Sequence, residues 1–341
     1  MQQQRSAAVI ALTFLMLVTG AVHGQVQAQD TRVEVTSNLR GFDRFSTADK
    51  FGHLTYMGGL TLNSDNSDFG GFSGLEVSRD GKKFLSVSDG GHWFSGEFVY
   101  KDNKLVGVTN TSLAPILNTK GEAETKKSRV DAETVAAWNE KGLDGKVIVG
   151  FERRERVKQF NIGKRGLGDS AERIKSPKAM SEGKTNGELE ALGRFYEGPL
   201  NGWLIAISER NMTSEGNIRG WLWRKNKTHE FHIPAHKDFL VTGLAILPGG
   251  EEIVTVERSF TPPVLVGMVI RRFRIKDLQN KNTGQGELLF EGMLTKYQID
   301  NMEGIGAHVD DRGTILTVIS DDNFNTSVQS TVMFQFRLDQ D

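Results

Sequence analysis

Five stretches of this chain follow one plan: an aliphatic strand begins, a turn follows, and a second strand ends on an acid. They run from Ser73-Gly74-Leu75 to Ser88-Asp89, from Glu133-Thr134-Val135 to Phe151-Glu152-Arg153, from Glu190-Ala191-Leu192 to Ser208-Glu209-Arg210, from Thr242-Gly243-Leu244 to Val256-Glu257-Arg258, and from Glu303-Gly304-Ile305 to Ser320-Asp321-Asp322. Their starts lie 52 to 61 residues apart. A period of that length, carrying strand patterns and Gly-rich turns, is how a β-propeller or a related radial array appears in sequence. The apolar runs within each copy, such as Lys83–Ser88, Lys146–Phe151 and 203–208, have strand length and are too short for helices. Asp80-Gly81, Asp144-Gly145, Asn201-Gly202, Gly249-Gly250 and Arg312-Gly313 precede the second strands and supply the positive φ of tight hairpins. Further strands follow each acid, as at 220–224 and 269–275, so one unit is a sheet of about four antiparallel strands. The last strand, Thr331–Leu338, has no full unit after it, and the strands at 32–36 and 54–62 carry no copy of the motif. Joining the two ends in one more blade closes the ring and hides its edges, which predicts an all-β propeller of six blades, with five as the alternative.

Arg5, the apolar run 7–22 and the stretch 23–28 have the three zones of a secretory signal peptide, with cleavage expected after Ala28. Residues 29–341 are then a single exported domain, periplasmic or secreted, with no membrane span after cleavage. The chain has no cysteine, which excludes disulfides, a thiolate nucleophile and Cys-ligated zinc. A formal net charge of −1, with Lys and Arg spread among acids, excludes a nucleic-acid footprint. The local exception is the basic stretch 153–184, read as a solvated loop face or as an anion-attracting rim. The chain is read as a monomer.

If the first strand of each blade lines the channel, its starts form an inner ring of Ser73, Glu133, Glu190, Thr242 and Glu303. The second-strand ends give another set, Asp89, Glu152, Glu209, Glu257 and Asp321, three of them followed by Arg153, Arg210 and Arg258. Converging carboxylates raise one another's pKa unless a cation neutralises them. Oxygen-only ligands suit a hard cation, Ca²⁺ above all; alternatively the Glu-Arg pairs brace neighbouring blades. Asp321, Asp322, Asn323 and Asn325 resemble parts of a calcium loop without fitting the EF-hand spacing. His92, in a Gly-rich turn after Asp89, is the histidine best placed for proton transfer. Ser73 lacks the Gly-x-Ser-x-Gly elbow and is read as a channel hydroxyl. No Walker loop, dinucleotide fingerprint or His-Glu-x-x-His occurs, so no organic cofactor is expected.

The strings 69–75, Ser88-Asp89-Gly90-Gly91-His92-Trp93, Asp131-Ala132-Glu133, Gly150-Phe151-Glu152-Arg153, Glu188-Leu189-Glu190-Ala191-Leu192, Val256-Glu257-Arg258, Asp300-Asn301-Met302-Glu303-Gly304 and 320–325 together resemble the bacterial phytase-like family, named for an esterase-like activity of phytase. The resemblance spans about residues 55 to 338. It implies an exported propeller-like domain linked to hydrolysis of a phosphoric or carboxylic ester. Calcium-dependent phytases are also propellers, which hold calcium with clustered carboxylates and phosphate with a rim of Lys and Arg.

The leading expectation is therefore a metal-assisted hydrolase of a small-molecule ester. Glu133, Glu190, Glu303, Asp321 and Asp322 would hold Ca²⁺, Arg153, Arg210, Arg258 and Ser73 would contact substrate, and Asp89 or His92 would transfer the proton. A non-catalytic propeller that binds a ligand or protein, and a lactonase-type propeller with one axial Ca²⁺, are the competing readings.

Overall fold

A computed structural model describes residues 31–124, 126–152, 156–163, 166–167, 172–181, 189–262, 265–279 and 286–339. These residues form five sheets. The first four come in sequence order, each built outward from an inner strand, Phe72–Val77, Ala132–Ala137, Ala191–Arg194 and Leu240–Ile246, and the first also takes Thr31–Arg32 at its edge, paired with Lys104–Pro115. The fifth begins with Asn301–Asp310 and Gly313–Asp321, continues through Thr331–Leu338, and is completed by Leu54–Asn63 and Thr36–Leu39 from the other end of the chain. Each inner strand packs against the next, and the fifth returns to the first.

The ring therefore has five blades, in sheets of four to six strands, and the expectation of six is corrected. The two chain ends do share a blade, with Leu338 opposite Leu54 and Thr331 opposite Leu62. They do not make a separate one, because the fifth motif copy supplies only the two inner strands of its sheet and needs both ends to finish it. The five copies of the motif are the five blades.

The core is likewise divided into five apolar layers, one between each pair of neighbouring blades. Phe84 and Phe94 of the first blade pack with Met333 of the fifth, while Leu85, Val87 and Trp93 from the same strands pack with Val149 and Phe160 of the second. Ile148 meets Trp221 and Trp223, Ile205 meets Ile253, and Val256 meets Phe334 at the other three interfaces. Both faces of a blade are thus buried. That is why the strands read as near-continuous apolar runs, without a polar face.

At the axis three of the five copies carry glycine at the motif's second position, and each is closed to a side chain. A Cβ added to Gly74 would lie 2.7 Å from Thr134 Cα, one on Gly243 would lie 2.3 Å from Glu303 O, and one on Gly304 would lie 3.0 Å from Leu75 Cβ. The third position is aliphatic in all five copies, and Leu75, Val135, Leu192, Leu244 and Ile305 narrow the axis to a space of about 30 Å³.

Gly243→Val should be strongly destabilising because the atom in its way is backbone. A loss of about 3 kcal/mol or more in urea unfolding is expected, the upper end of an overpacked core; wild-type stability would show that the inner strands can separate freely.

Candidate functional site

A repeated β-bulge aims the inner ring. In the first blade Phe72 pairs with Ser88 and Gly74 with Val87, leaving Ser73 as the extra residue. The same shift leaves Glu133 unpaired between Ala132 and Thr134, Thr242 between Val241 and Gly243, and Glu303 between Met302 and Gly304. Glu190 immediately precedes Ala191, where pairing of its blade begins. A bulge bends its strand and redirects one side chain, so each blade can turn its ring residue away from the interblade core toward the axis.

The ring opens into a cavity of about 350 Å³ at the end of the axis where inner strands start and second strands finish. Ser73, Glu133, Glu190 and Glu303 line it with Asp89, Glu152, Glu209 and Asp321. Asp131, Lys127, Arg210, Arg258 and Asn323 complete the lining. Eight carboxylates thus face three cationic side chains.

The cations are distributed unevenly. Lys127 Nζ donates to Asp131 at 2.7 Å and also to Asp89. Arg210 Nε lies 3.0 Å from Glu209, and Arg258 lies 3.4 Å from Glu209 and 3.6 Å from Glu303. Glu133 and Glu190, 8 % and 9 % exposed, have no hydrogen-bond or ion-pair partner among the described residues. Burial, then the charges of Glu190 and Glu303, push Glu133 well above the usual carboxylate range. Burial and then Glu209 do the same to Glu190, and burial and then Glu303 to Asp321. Glu303 is pushed up to about 7 by burial, against the opposing pull of Arg258 and of the Asn301 amide, which donates to it at 2.8 Å.

Asp131, Glu133 and Glu152 can each present an oxygen within 4.8 Å of the others. The bulge at Glu133 and the bond from Glu152 N to Asp131 O, at 3.0 Å, bring the three together. The sequence marks Glu133 as a strand start and Glu152 as a strand end, whereas Asp131 lies outside the repeated motif and carries no signal of its own. Lys127 was missed, and its only signal is the i,i+4 spacing to Asp131 on the short helix Lys127–Val130.

Several expected site residues lie elsewhere. Thr242 is turned to donate to Met302 O at 3.0 Å. Glu257 forms a two-pronged pair with Arg271, at 2.6 and 3.0 Å, with both side chains buried. It braces its own blade. Asp322 accepts from Gly71 N at 3.0 Å, Phe324 N at 3.1 Å and Thr331 Oγ1 at 2.9 Å, which makes it a buttress for the loops around the cavity. Its carboxylate and the Phe324 ring occupy the space beside Gly70, Gly71 and Gly90, so those glycines serve packing. His92 does not line the cavity; its Nε2 lies 3.7 Å from Asp68. Arg153 falls outside the described residues, as does much of the basic stretch 153–184. Within that stretch, Arg156 and Lys158 lie over the Phe151 ring.

Two outcomes follow. Arg271→Met should strand the Glu257 charge in the core, costing about 3–5 kcal/mol in chemical denaturation; a variant as stable as wild type would make the pair dispensable. The raised acids predict an unusual pH profile. A native carboxyl titrating near 7 keeps a proton that the unfolded chain has already released, so its stabilisation is complete below about pH 4.5 and is lost through about pH 7. Glu76, pushed by burial to about 7, adds to the same trend. The melting temperature in EDTA should fall over that window; a rise across it would contradict this account of the cavity.

Residues 67–324 match the family model described as phytase-like, esterase-like activity of phytase. No curated protein sequence matches the chain. Among solved structures, the chain is similar to Kuenenia stuttgartiensis hydrazine synthase, with 13% identity, a TM-score of 0.36, and coverage of 77% of this chain and 62% of that one. It is also similar to the WD40 repeats of RRP9, with 8% identity, a TM-score of 0.40, and coverage of 88% and 100%. The chain spans less than two thirds of the hydrazine synthase chain, and similarities at this level identify neither a substrate nor a partner. The family match covers well over half of the chain, including all five motif copies from Ser73 to Asp322, and the chain belongs to the phytase-like family.

Proposed function

We propose that this protein is an exported, metal-assisted ester hydrolase whose site is the acidic cavity at the propeller axis. On this reading residues 1–28 are a cleaved signal peptide, and 29–341 work as a monomeric single domain in the periplasm or outside the cell. Among the described residues no helix is long and apolar enough to cross a membrane.

The observation that carries the reading is Glu133: a carboxylate nine-tenths buried, without a partner among the described residues, beside oxygens of Asp131 and Glu152. An unpaired buried acid costs stability unless it is protonated or meets a cation. The donors are all oxygens, which fits a hard divalent ion such as Ca²⁺. Asp131, Glu133 and Glu152 would hold it, with Glu190, Glu303 and Asp321 across the cavity as further acids. A bound ion would supply Lewis acidity toward an ester oxygen and a nearby water.

The remaining roles belong to the chain itself. Arg258, 21 % exposed and shared between Glu209 and Glu303, presents a guanidinium to an ester or phosphoryl oxygen entering the cavity. Arg210, more than half exposed, stands at the rim. Ser73 offers a hydroxyl on the cavity wall. Asp89 replaces His92 as the proton-transfer candidate: it lines the cavity, and one of its oxygens is buried without a partner while the other is held by Lys127.

Purified residues 29–341 should hydrolyse at least one of a phosphomonoester, phytate, a short-chain carboxylic ester or a lactone, with activity removed by EDTA and restored by Ca²⁺. Glu133→Gln should weaken the Ca²⁺-induced thermal shift by about tenfold in midpoint and lower turnover by about a hundredfold. Saturable ligand binding with no turnover of any bond would establish a binding propeller instead.

A further inference from the structure

A second cavity, of about 580 Å³, adjoins the acidic one and shares Arg258, Glu303 and Asn323 with it. Its character is different. Phe260, Val266, Leu294, Ile299 and Val328 form an apolar wall, with Phe260 and Val328 50 % and 67 % exposed, while Arg40, Arg44 and Asp300 stand among its polar lining. Large apolar side chains left in water beside a polar site mark a surface that binds something apolar. The volume suits a group of several carbons up to an aromatic ring system.

The two cavities differ in what they admit. The acidic one offers a surplus of carboxylates, so a polyanion entering it meets repulsion as well as Arg210 and Arg258. The neighbouring cleft repays burial of hydrocarbon at about 0.8 kcal/mol per CH₂. Their shared threshold is Arg258 with Glu303, where a single anionic or carbonyl oxygen can be held with hydrocarbon on one side and the acid cluster on the other.

We propose that the substrate is an ester with an apolar arm of medium-chain length, which lies along Phe260, Leu294 and Val328 while its ester group reaches the acidic cavity at Arg258. The proposal rests on the hydrolase reading for the reacting end of the molecule, and on the cleft alone for the arm.

Hydrolysis and binding test the two parts separately. With Ca²⁺ present, the kcat/KM of wild-type protein for para-nitrophenyl octanoate should exceed that for the acetate by at least about tenfold, from burial of several methylenes. Phe260→Ser and Val328→Ser, both at exposed positions, should each reduce that ratio by about threefold or more. Binding of octylphosphonate, which cannot be hydrolysed by the same route, should be at least about tenfold tighter than that of methylphosphonate by calorimetry, and the two variants should narrow the gap. Ca²⁺-dependent turnover with no chain-length preference overturns the apolar arm and leaves the hydrolase standing. Absence of turnover on every ester, with the octyl preference in binding intact, overturns the hydrolase and leaves the cleft. Equal binding of the two phosphonates overturns the cleft outright.

Discussion

The site depends on a bulge that recurs at the same place in four of the blades. A regular inner strand would alternate between the two interblade cores, and both are apolar and filled. One extra residue, opposed by none on the partner strand, takes a side chain out of that alternation. Ser73, Glu133, Thr242 and Glu303 are those residues. In three of these blades the following glycine then lets the inner strands touch, and the aliphatic residue after it closes the axis below. Three consecutive letters thus serve the cavity, the contact between blades and the floor, which is why the motif is short and repeats so closely.

Crowding is the direct result. Each blade can present its own polar group, but five converge on one axis, and three of them are glutamates. The added acids of the second strands raise the cost further. Lys127, Arg210 and Arg258 offset part of it, and among the described residues none forms an ion pair with Glu133 or Glu190. An arrangement that served stability alone would resemble Glu257 with Arg271, where one guanidinium satisfies both oxygens of one buried carboxylate. The contrast between the two kinds of glutamate, in the same repeat, separates bracing from a site kept ready for a charge from outside.

Much of this was legible in the sequence, and the losses have definite causes. Strand-length runs, Asp-Gly turns and the motif period led to a propeller, and Glu133, Glu190, Glu303 and Asp321, read as strand starts and a strand end, line one cavity. The blade count failed because the motif reports only two strands of each sheet, so strands contributed by the chain ends looked like surplus. Asp322 was misjudged because adjacent acids at a strand end point to opposite sides, and its oxygens go to Gly71, Phe324 and Thr331. Glu257 reads in the sequence as a strand end like Glu209, but it pairs with Val241 as Ser88 pairs with Phe72, so it stands one residue before the acids and Arg258 takes their place. Thr255 and Arg271, two residues back and on the next strand, capture Glu257, and the motif does not include Arg271.

The fourth blade accordingly breaks the symmetry of the ring. It contributes Thr242, turned to the backbone, and Arg258 in place of an acid. The cluster of Asp131, Glu133 and Glu152 belongs to the second blade, while the apolar cleft is built by the fourth and fifth with the segments that flank them. A perfect five-fold ring of acids would hold ions and little else. Removing the charge on one side gives the cavity a direction, from the acids of the second blade to the guanidinium and hydrocarbon of the fourth. A molecule with one polar, reactive end and one apolar end fits that direction in a single orientation, because either reversal buries its hydrocarbon among carboxylates and its polar group against Leu294 and Val266.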